Sequence, residues 1–349
     1  MNNRDYSYDW LRAFSAIMIV LCHICQGFGI SSTLGYYLGG TYVSVFLILS
    51  AYLLGIKHKE RIAHNPGLFL KKRVNRILPT YYTYLTLTFT IIVVFGLGYL
   101  ELRQAIGHYL FLNWFIPSIR IDQQPLPQLG HLWFMSCIVA SYLILTISAI
   151  LQFSNRTKKF WICLTIVTAL VCTILCSVSR YFIYPSVVVT LFPLVFFVGD
   201  DLFKYIYRRV SKIVLIGLLL FFNIGSIIGY HFGLYGYPAL VFWSIAINSV
   251  LWIAATPFVF NRNYLPIIVA FISNISFELY LIHHPFCLGY YSLAKYMPIG
   301  LAIVSVYTIS IVLAYVLHII VNFTMRYIRT ILPPTHLKKK WKHFLTYLV

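Results

Sequence analysis

Residues 10–30 of the chain read WLRAFSAIMIVLCHICQGFGI. The stretch is almost entirely apolar, and it contains two ionisable side chains, Arg12 and His23. A helix needs about 20 mainly apolar residues to cross the hydrocarbon core of a bilayer. The stretch therefore predicts a transmembrane helix with an arginine near one end and a histidine past its middle.

The rest of the chain repeats this pattern. Of its 349 residues 60% are hydrophobic and only 10% are charged, whereas about a quarter of the residues in soluble domains are charged. The apolar runs are continuous rather than alternating, which argues against a β-barrel. We predict an all-α polytopic integral membrane protein with about ten transmembrane helices. Their approximate bounds are 10–30, 36–56, 79–100, 129–153, 160–178, 185–203, 212–230, 238–260, 264–290 and 298–328.

The distribution of positive charge predicts the orientation. Cytoplasmic loops of membrane proteins are enriched in lysine and arginine. If the N-terminus is cytoplasmic, four of the 27 lysine and arginine residues lie in outer segments, and Arg12 lies within the first span, which leaves 22 in inner segments. We therefore predict that both termini are cytoplasmic.

The same charge bears on partners and on domain organisation. We interpret the net charge of +19 as a topology signal and as an attraction to anionic membrane lipids, not as a nucleic-acid surface. Residues 1–330 form one membrane domain, and 331–349 form a basic cytoplasmic tail. All seven cysteines fall in predicted spans, as expected for packing residues, and no spacing of Cys and His predicts a metal site.

Two spans carry ionisable residues at a similar depth. Arg12 and His23 are 11 residues apart, so they project from nearly the same face of a helix, about 16 Å apart along its axis. Glu278 is the one carboxylate placed deep in a predicted span, at about the depth of His23. Such groups are costly in a membrane and are usually functional, although a structural role stays possible for each of them. We expect Glu278 to orient and polarise His23.

Another polar group is predicted near the outer surface. His131 and Trp133 begin the fourth span, and His283 and His284 stand near the outer end of the ninth. Taken alone, histidine and tryptophan at this level are ordinary interface anchors.

Two arginines stand just before the third span, whose predicted start is Pro79. Arg73 and Arg76 are three residues apart, so on a helix they form one cationic face. Arginine is suited to bidentate contact with phosphate, while the neighbouring basic residues fit ordinary cytoplasmic charge.

Five motifs in these spans resemble those of the acyltransferase-3 family of bacterial membrane acyltransferases. The resemblance covers nearly the whole chain. The second-span motif departs from the family pattern, because Phe46-Leu47 replaces a pair of phenylalanines and Ala51 replaces a glycine. The motifs are Arg-x10-His at Arg12 and His23, Arg-x-x-Arg at Arg73 and Arg76, the second-span run from Gly40 to Ala51, His131-Leu132-Trp133-Phe134, and the run from Ser276 through Glu278 and Tyr280 to His283.

The resemblance implies an enzyme of the bacterial cytoplasmic membrane. It would transfer an acyl group, usually acetyl, from cytoplasmic acyl-coenzyme A to a hydroxyl of a cell-envelope or extracellular glycan, without a metal. His23 would be the general base or a transient acyl carrier, within a centre that includes Arg12 and Glu278. Arg73 and Arg76 would hold the donor's phosphates. The candidates for the outer, substrate side are His131, Trp133, Tyr280 and His283.

Two other classes of protein stay open. A transporter, for example a flippase for a lipid-linked saccharide, would also carry polar residues at mid-membrane. Secondary transporters commonly contain internal repeats and broken helices, and the sequence indicates neither. A non-catalytic subunit that works with other polysaccharide-synthesis proteins is the third possibility.

Overall fold

The structure is a computed structural model that describes residues 5–122, 125–150 and 158–331. Within these ranges the chain is helical and has no strands, apart from one isolated bridge between Pro127 and Gly289. The α-helices are α1 (Ser7–Gly27), α2 (Ser32–His64), α3 (Pro66–Val94), α4 (Leu102–Tyr109), α5 (Trp133–Ile150), α6 (Lys158–Val178), α7 (Ile183–Arg209), α8 (Lys212–His231), α9 (Pro238–Val259), α10 (Ile267–Asn274), α11 (Ser276–Ile282), α12 (His284–Cys287) and α13 (Ile299–Ile331).

Nine of the helices in the described ranges are long and apolar enough to cross a membrane: α1 to α3, α5 to α9, and α13. The prediction of an all-α, multi-pass membrane protein is confirmed. The remaining predicted span, 264–290, is divided into α10, α11 and α12. The number of crossings and the side on which the termini lie stay predictions.

The prediction of one continuous helix over 264–290 is wrong, and Pro285 supplies a physical reason. A helix that continued through this point would need the N–H of residue 285 to donate to the carbonyl of Leu281, and proline has no N–H. The Leu281 carbonyl instead accepts a hydrogen bond from Nε2 of His131, at 3.0 Å. An earlier break lies at Ile275, whose φ of −94° and ψ of 9° leave the helical range.

Helix α3 begins earlier than predicted, because its start carries strong local signals. The Asn65 side chain accepts a hydrogen bond from the backbone N–H of Leu68 at 2.9 Å, and Pro66 occupies the first turn, where its missing N–H costs nothing. The helix then runs through Pro79. Arg73 and Arg76 therefore lie on the helix itself, not in a loop before it.

Basic residues gather at one end of the helices, which we call the basic end. Lys57, Arg73 and Arg76 line one cavity there. The first described residues reach the same end, where Asp5 forms an ion pair with Arg262 at 3.0 Å. These are side chains that the charge distribution predicts to be cytoplasmic. At the opposite end, which we call the far end, α1 finishes at Gly27.

Glycines allow two close helix contacts. A Cβ atom on Gly27 would lie 1.9 Å from the carbonyl oxygen of Cys287, and one on Gly55 would lie 2.4 Å from that of Phe196. Small residues let helices in membranes approach this closely. At the far end, α12, which begins at His284, is thereby packed directly against α1.

Candidate active site

A cavity of about 710 Å³ lies at the basic end, and we call it the basic cavity. Among the described residues that line it, four are cationic and one is a carboxylate, Glu278. The excess of positive charge suits an anionic ligand. The cations, drawn from α1, α2 and α3, are Arg12, Lys57, Arg73 and Arg76.

Arg73 has a donor that a ligand would satisfy. Its Nε is buried and has no hydrogen-bond partner among the described residues, and its guanidinium lies over the ring of Phe69, 5.8 Å from the centroid. Arg76, one helical turn further on, is exposed. A buried donor without a partner is costly, so an anion that accepted from Arg73 would gain the energy of that hydrogen bond.

Glu278 and His318 form a pair on the wall of the basic cavity. Oε1 of Glu278 accepts a hydrogen bond from Nδ1 of His318 at 2.8 Å. The carboxylate is 6% exposed, whereas the imidazole is half-buried and also lines the cavity.

Four histidines meet near the far end, and we call them the histidine cluster. The ring centroids are 4.5 Å apart for His23 and His284, 5.3 Å for His23 and His283, 4.4 Å for His131 and His284, and 5.6 Å for His131 and His283. His131, His283 and His284 are buried, and His23 is half-buried. In the described part of the chain, no three or more His, Cys, Asp or Glu side chains are arranged to hold a metal ion.

Oxygen acceptors fix the tautomer of each ring in the cluster. Nδ1 of His23 is 3.2 Å from Oε1 of Gln26, and Nε2 of His131 is 3.0 Å from the Leu281 carbonyl. In the same way, His283 and His284 use Nδ1 to contact the carbonyls of Leu279 and Gln128, each at 3.0 Å. Since these oxygens only accept, each contacting nitrogen carries the hydrogen, and in the neutral ring the other nitrogen keeps a lone pair. A general base needs such a lone pair.

The predicted pairing of His23 with Glu278 is wrong. Glu278 is hydrogen-bonded to His318. His23 is hydrogen-bonded to Gln26 and touches two other histidines. In one straight helix over 264–290 Glu278 would lie at the depth of His23, but the breaks at Ile275 and Pro285 change where each side chain lies. Arg12 and Glu278 do share the basic cavity, whose described lining includes none of the four clustered histidines.

The predicted outer residues are not surface anchors. His131 and His283 are 3% and 0% exposed, and both belong to the cluster that contains His23. Tyr280 is also buried, and its hydroxyl donates to the backbone carbonyl of His131. Trp133 lies apart from them in an aromatic group with Trp114 and Tyr184, at ring distances of 4.7 and 4.3 Å.

Several functional candidates escaped the sequence-based search. His318 lies in the last apolar span, and the rule that ionisable groups in a span are usually functional would have found it. His284 was noted only as an anchor, although its Pro285 neighbour signals a helix break. Gln26 is one turn beyond His23, at the spacing where side chains on a helix meet.

Helices α1, α5, which carries Phe134, and α11 join the cavity to the cluster. α1 carries both Arg12 and His23, while α11 carries Glu278 and leads directly to His283. Phe134 lines the basic cavity and contacts Tyr280, at a ring distance of 5.3 Å, and Tyr280 contacts His131 at the same distance. Two aromatic side chains in contact, Phe134 and Tyr280, therefore lead from the cavity to His131.

The acyltransferase domain family matches residues 5–321 of the chain. The chain belongs to the acyltransferase-3 family. The match spans the basic cavity as far as Val321 and the whole histidine cluster, so this protein is a multi-pass membrane acyltransferase. No curated protein and no solved structure matches it.

Proposed function

We propose that this acyltransferase moves an acyl group, most simply acetyl, from acyl-coenzyme A to a hydroxyl of a cell-envelope glycan. The observation that carries the proposal is that α1 contributes to two chemically different sites, a cationic cavity near one end and a histidine cluster near the other. Arg12 lines the basic cavity together with three other cations, and His23, about 16 Å further along the helix, contacts Gln26 and touches two other histidines.

The donor would bind at the basic end. Coenzyme A carries several phosphate charges, which Arg73, Arg76 and Lys57 in the lining of the basic cavity would contact. With the predicted topology this end faces the cytoplasm, where acyl-coenzyme A is made, and the basic residues also face anionic lipids of that leaflet. The pantetheine arm would then pass the aromatic side chains of Phe134 and Tyr280 to reach His23.

The acceptor would arrive from the far end. Nε2 of His23 would take the proton of the glycan hydroxyl as its oxygen bonds to the acyl carbon. The C–S bond breaks, its electron pair leaves with sulfur, and the thiolate takes a proton from water. His23 then returns its proton to solvent. Arg12 stays with the donor in this scheme, next to Asp9 at 3.4 Å.

A transporter for a lipid-linked saccharide is the second candidate. The expectation of unbroken helices was wrong, because α10 to α12 interrupt one span, as in many transporters. Each of the other nine predicted spans contains one long α-helix without an internal break over its described residues, and the family is one of acyltransferases.

The test compares O-acyl groups on envelope glycans, by mass spectrometry, in cells with and without the gene. It is repeated with His23→Ala, at matched expression. The proposal requires that the acyl groups disappear in the deletion strain and in the variant. Unchanged O-acylation together with lost glycan export would favour the transporter.

A further inference from the structure

Within the histidine cluster, His283 has a lone pair that no described group satisfies. Its Nδ1–H donates to the carbonyl of Leu279 at 3.0 Å, so Nε2 is the acceptor nitrogen of the neutral ring. The residue is 0% exposed, and Nε2 is buried without a hydrogen-bond partner in the described part of the chain. A buried acceptor without a donor is costly.

His23 is one of the rings that touch His283, and in the proposed function it is the ring that gains a proton. The centroids of His23 and His283 are 5.3 Å apart, and the rings are tilted by 33°. His284 also touches His23, but its ring stacks on His131 at a centroid distance of 4.4 Å. Its Nε2 is not among the buried nitrogen atoms that lack a hydrogen-bond partner in the described part of the chain. His283 is therefore the neighbour of His23 whose unsatisfied acceptor nitrogen could accept a hydrogen bond from the protonated His23 ring.

We propose that His283 is a positioning residue that stabilises the protonated form of His23 through its Nε2 lone pair. The inference rests on the proposed function, in which His23 takes the hydroxyl proton. As the ester forms, its oxygen loses basicity and no longer holds that proton. The Nε2–H of His23 then turns to Nε2 of His283, so an unsatisfied buried acceptor becomes satisfied as the imidazolium forms. This role replaces the one that the sequence assigned to Glu278.

Two substitutions at His283 distinguish the effect of losing the acceptor nitrogen from the effect of losing the volume of the ring. His283→Gln keeps an oxygen acceptor near the position of Nε2, whereas His283→Met fills similar volume without a comparable acceptor. His231, which is exposed at the end of α8, supplies the matched control His231→Gln. Each full-length protein is reconstituted in vesicles with acetyl-coenzyme A and the envelope glycan, and kcat and the KM for the donor are measured.

We expect His283→Met to lower kcat about tenfold to a hundredfold, with the donor KM changed less than about threefold, because the lost contact forms as the imidazolium develops in the transition state and is absent from the substrate complex. His283→Gln should recover most of kcat, and His231→Gln should match the wild type. The proposal is overturned if His283→Met keeps kcat within about twofold, if the Gln and Met variants lose kcat equally, or if KM rises as much as kcat falls. A wild-type protein that transfers no acyl group would instead overturn the proposed function.

Discussion

Glu278 and His318 are joined by a hydrogen bond of 2.8 Å between α11 and α13, on the wall of the cavity that also contains Arg12. Glu278 is buried, so removal of His318 leaves a buried carboxylate without its donor, whereas removal of Glu278 leaves a half-buried imidazole without its acceptor. Because each side chain is the hydrogen-bond partner of the other, the pair should act as one unit in stability. Glu278 and Gln26, which serve different histidines, should act independently.

A double-mutant cycle on the free energy of unfolding in detergent tests this relationship. Glu278→Ala and His318→Ala should each cost about 1–3 kcal/mol, and the double variant should cost little more than the worse single one. The costs of Glu278→Ala and Gln26→Ala should add within about 0.5 kcal/mol. Strong coupling between Gln26 and Glu278 would restore the direct link from Glu278 to His23.

The arginines of α3 should matter through their position and not only through their charge. Arg73→Ala with Arg76→Ala should raise the KM for acyl-coenzyme A at least about tenfold, since each charge-assisted contact is worth about 1.5–3 kcal/mol. The matched control is Lys71→Ala with Lys72→Ala, which removes the same charge from exposed positions of the same helix that do not line the cavity. Equal effects of both pairs would mean that α3 attracts the donor only by diffuse charge.

The membrane topology predicted from charge makes a separate test possible. Reporter fusions after Lys204 and Arg262 should report the cytoplasm, and fusions near Asp122 and Lys295 the outside. A fusion after Asn155, which lies outside the described residues, should also be cytoplasmic. A cytoplasmic signal near Asp122 would contradict both the orientation and the assignment of the basic cavity to the donor.

His108, in α4, should make stability depend on pH. It is 0% exposed with no hydrogen-bond partner for either ring nitrogen among the described residues, and burial, together with the charge of Arg120, lowers its pKa to about 4. In the unfolded chain the pKa is near 6.5, so between these values the unfolded state binds more protons. Stability is therefore lost as the pH falls below about 6.5. At about pH 5 the loss from this residue is about 2 kcal/mol.

The variant His108→Leu should remove that loss. At about pH 8 its free energy of unfolding should lie within about 1 kcal/mol of the wild type, because the neutral ring makes no hydrogen bond that leucine would forfeit. At about pH 5 the variant should be the more stable protein. Denaturant titrations at both pH values measure the difference, and equal destabilisation by the variant at both would show that the ring nitrogens have partners such as bound water.

Features that depend on a single segment of the chain could be predicted from the sequence. Contacts that depend on breaks in a helix could not. Span lengths follow from apolar runs, and the Arg12–His23 spacing follows from helix geometry, so both could be derived from single segments. The partner of Glu278 could not, because depth along a straight helix says nothing about a chain that breaks at Ile275 and again before Pro285. The burial of His131 depends on the Leu281 carbonyl that this second break sets free, and such a contact between distant segments has no signature in either one.

The last prediction concerns the contact that holds α12 against α1. A methyl group on Gly27 would meet the Cys287 carbonyl oxygen at 1.9 Å, and backbone atoms on both sides leave no flexible group to move aside. Gly27→Ala should therefore push α12 away from α1, at a cost of about 1–3 kcal/mol in stability. Because His283 and His284 touch His23 across this same contact, acyl transfer should fall more than donor affinity.

Gly217→Ala in α8 is the control, since no atom of the described residues, apart from the adjacent backbone of α8 itself, lies within 4 Å of the added methyl group, and alanine favours a helix by up to about 1 kcal/mol over glycine. It should leave activity unchanged and keep or raise the free energy of unfolding. Thermal unfolding in detergent and steady-state acyl transfer measure both variants side by side. Wild-type stability and turnover in Gly27→Ala would mean that the approach of α12 to His23 does not organise the histidine cluster, and the role proposed for His283 would lose its structural basis.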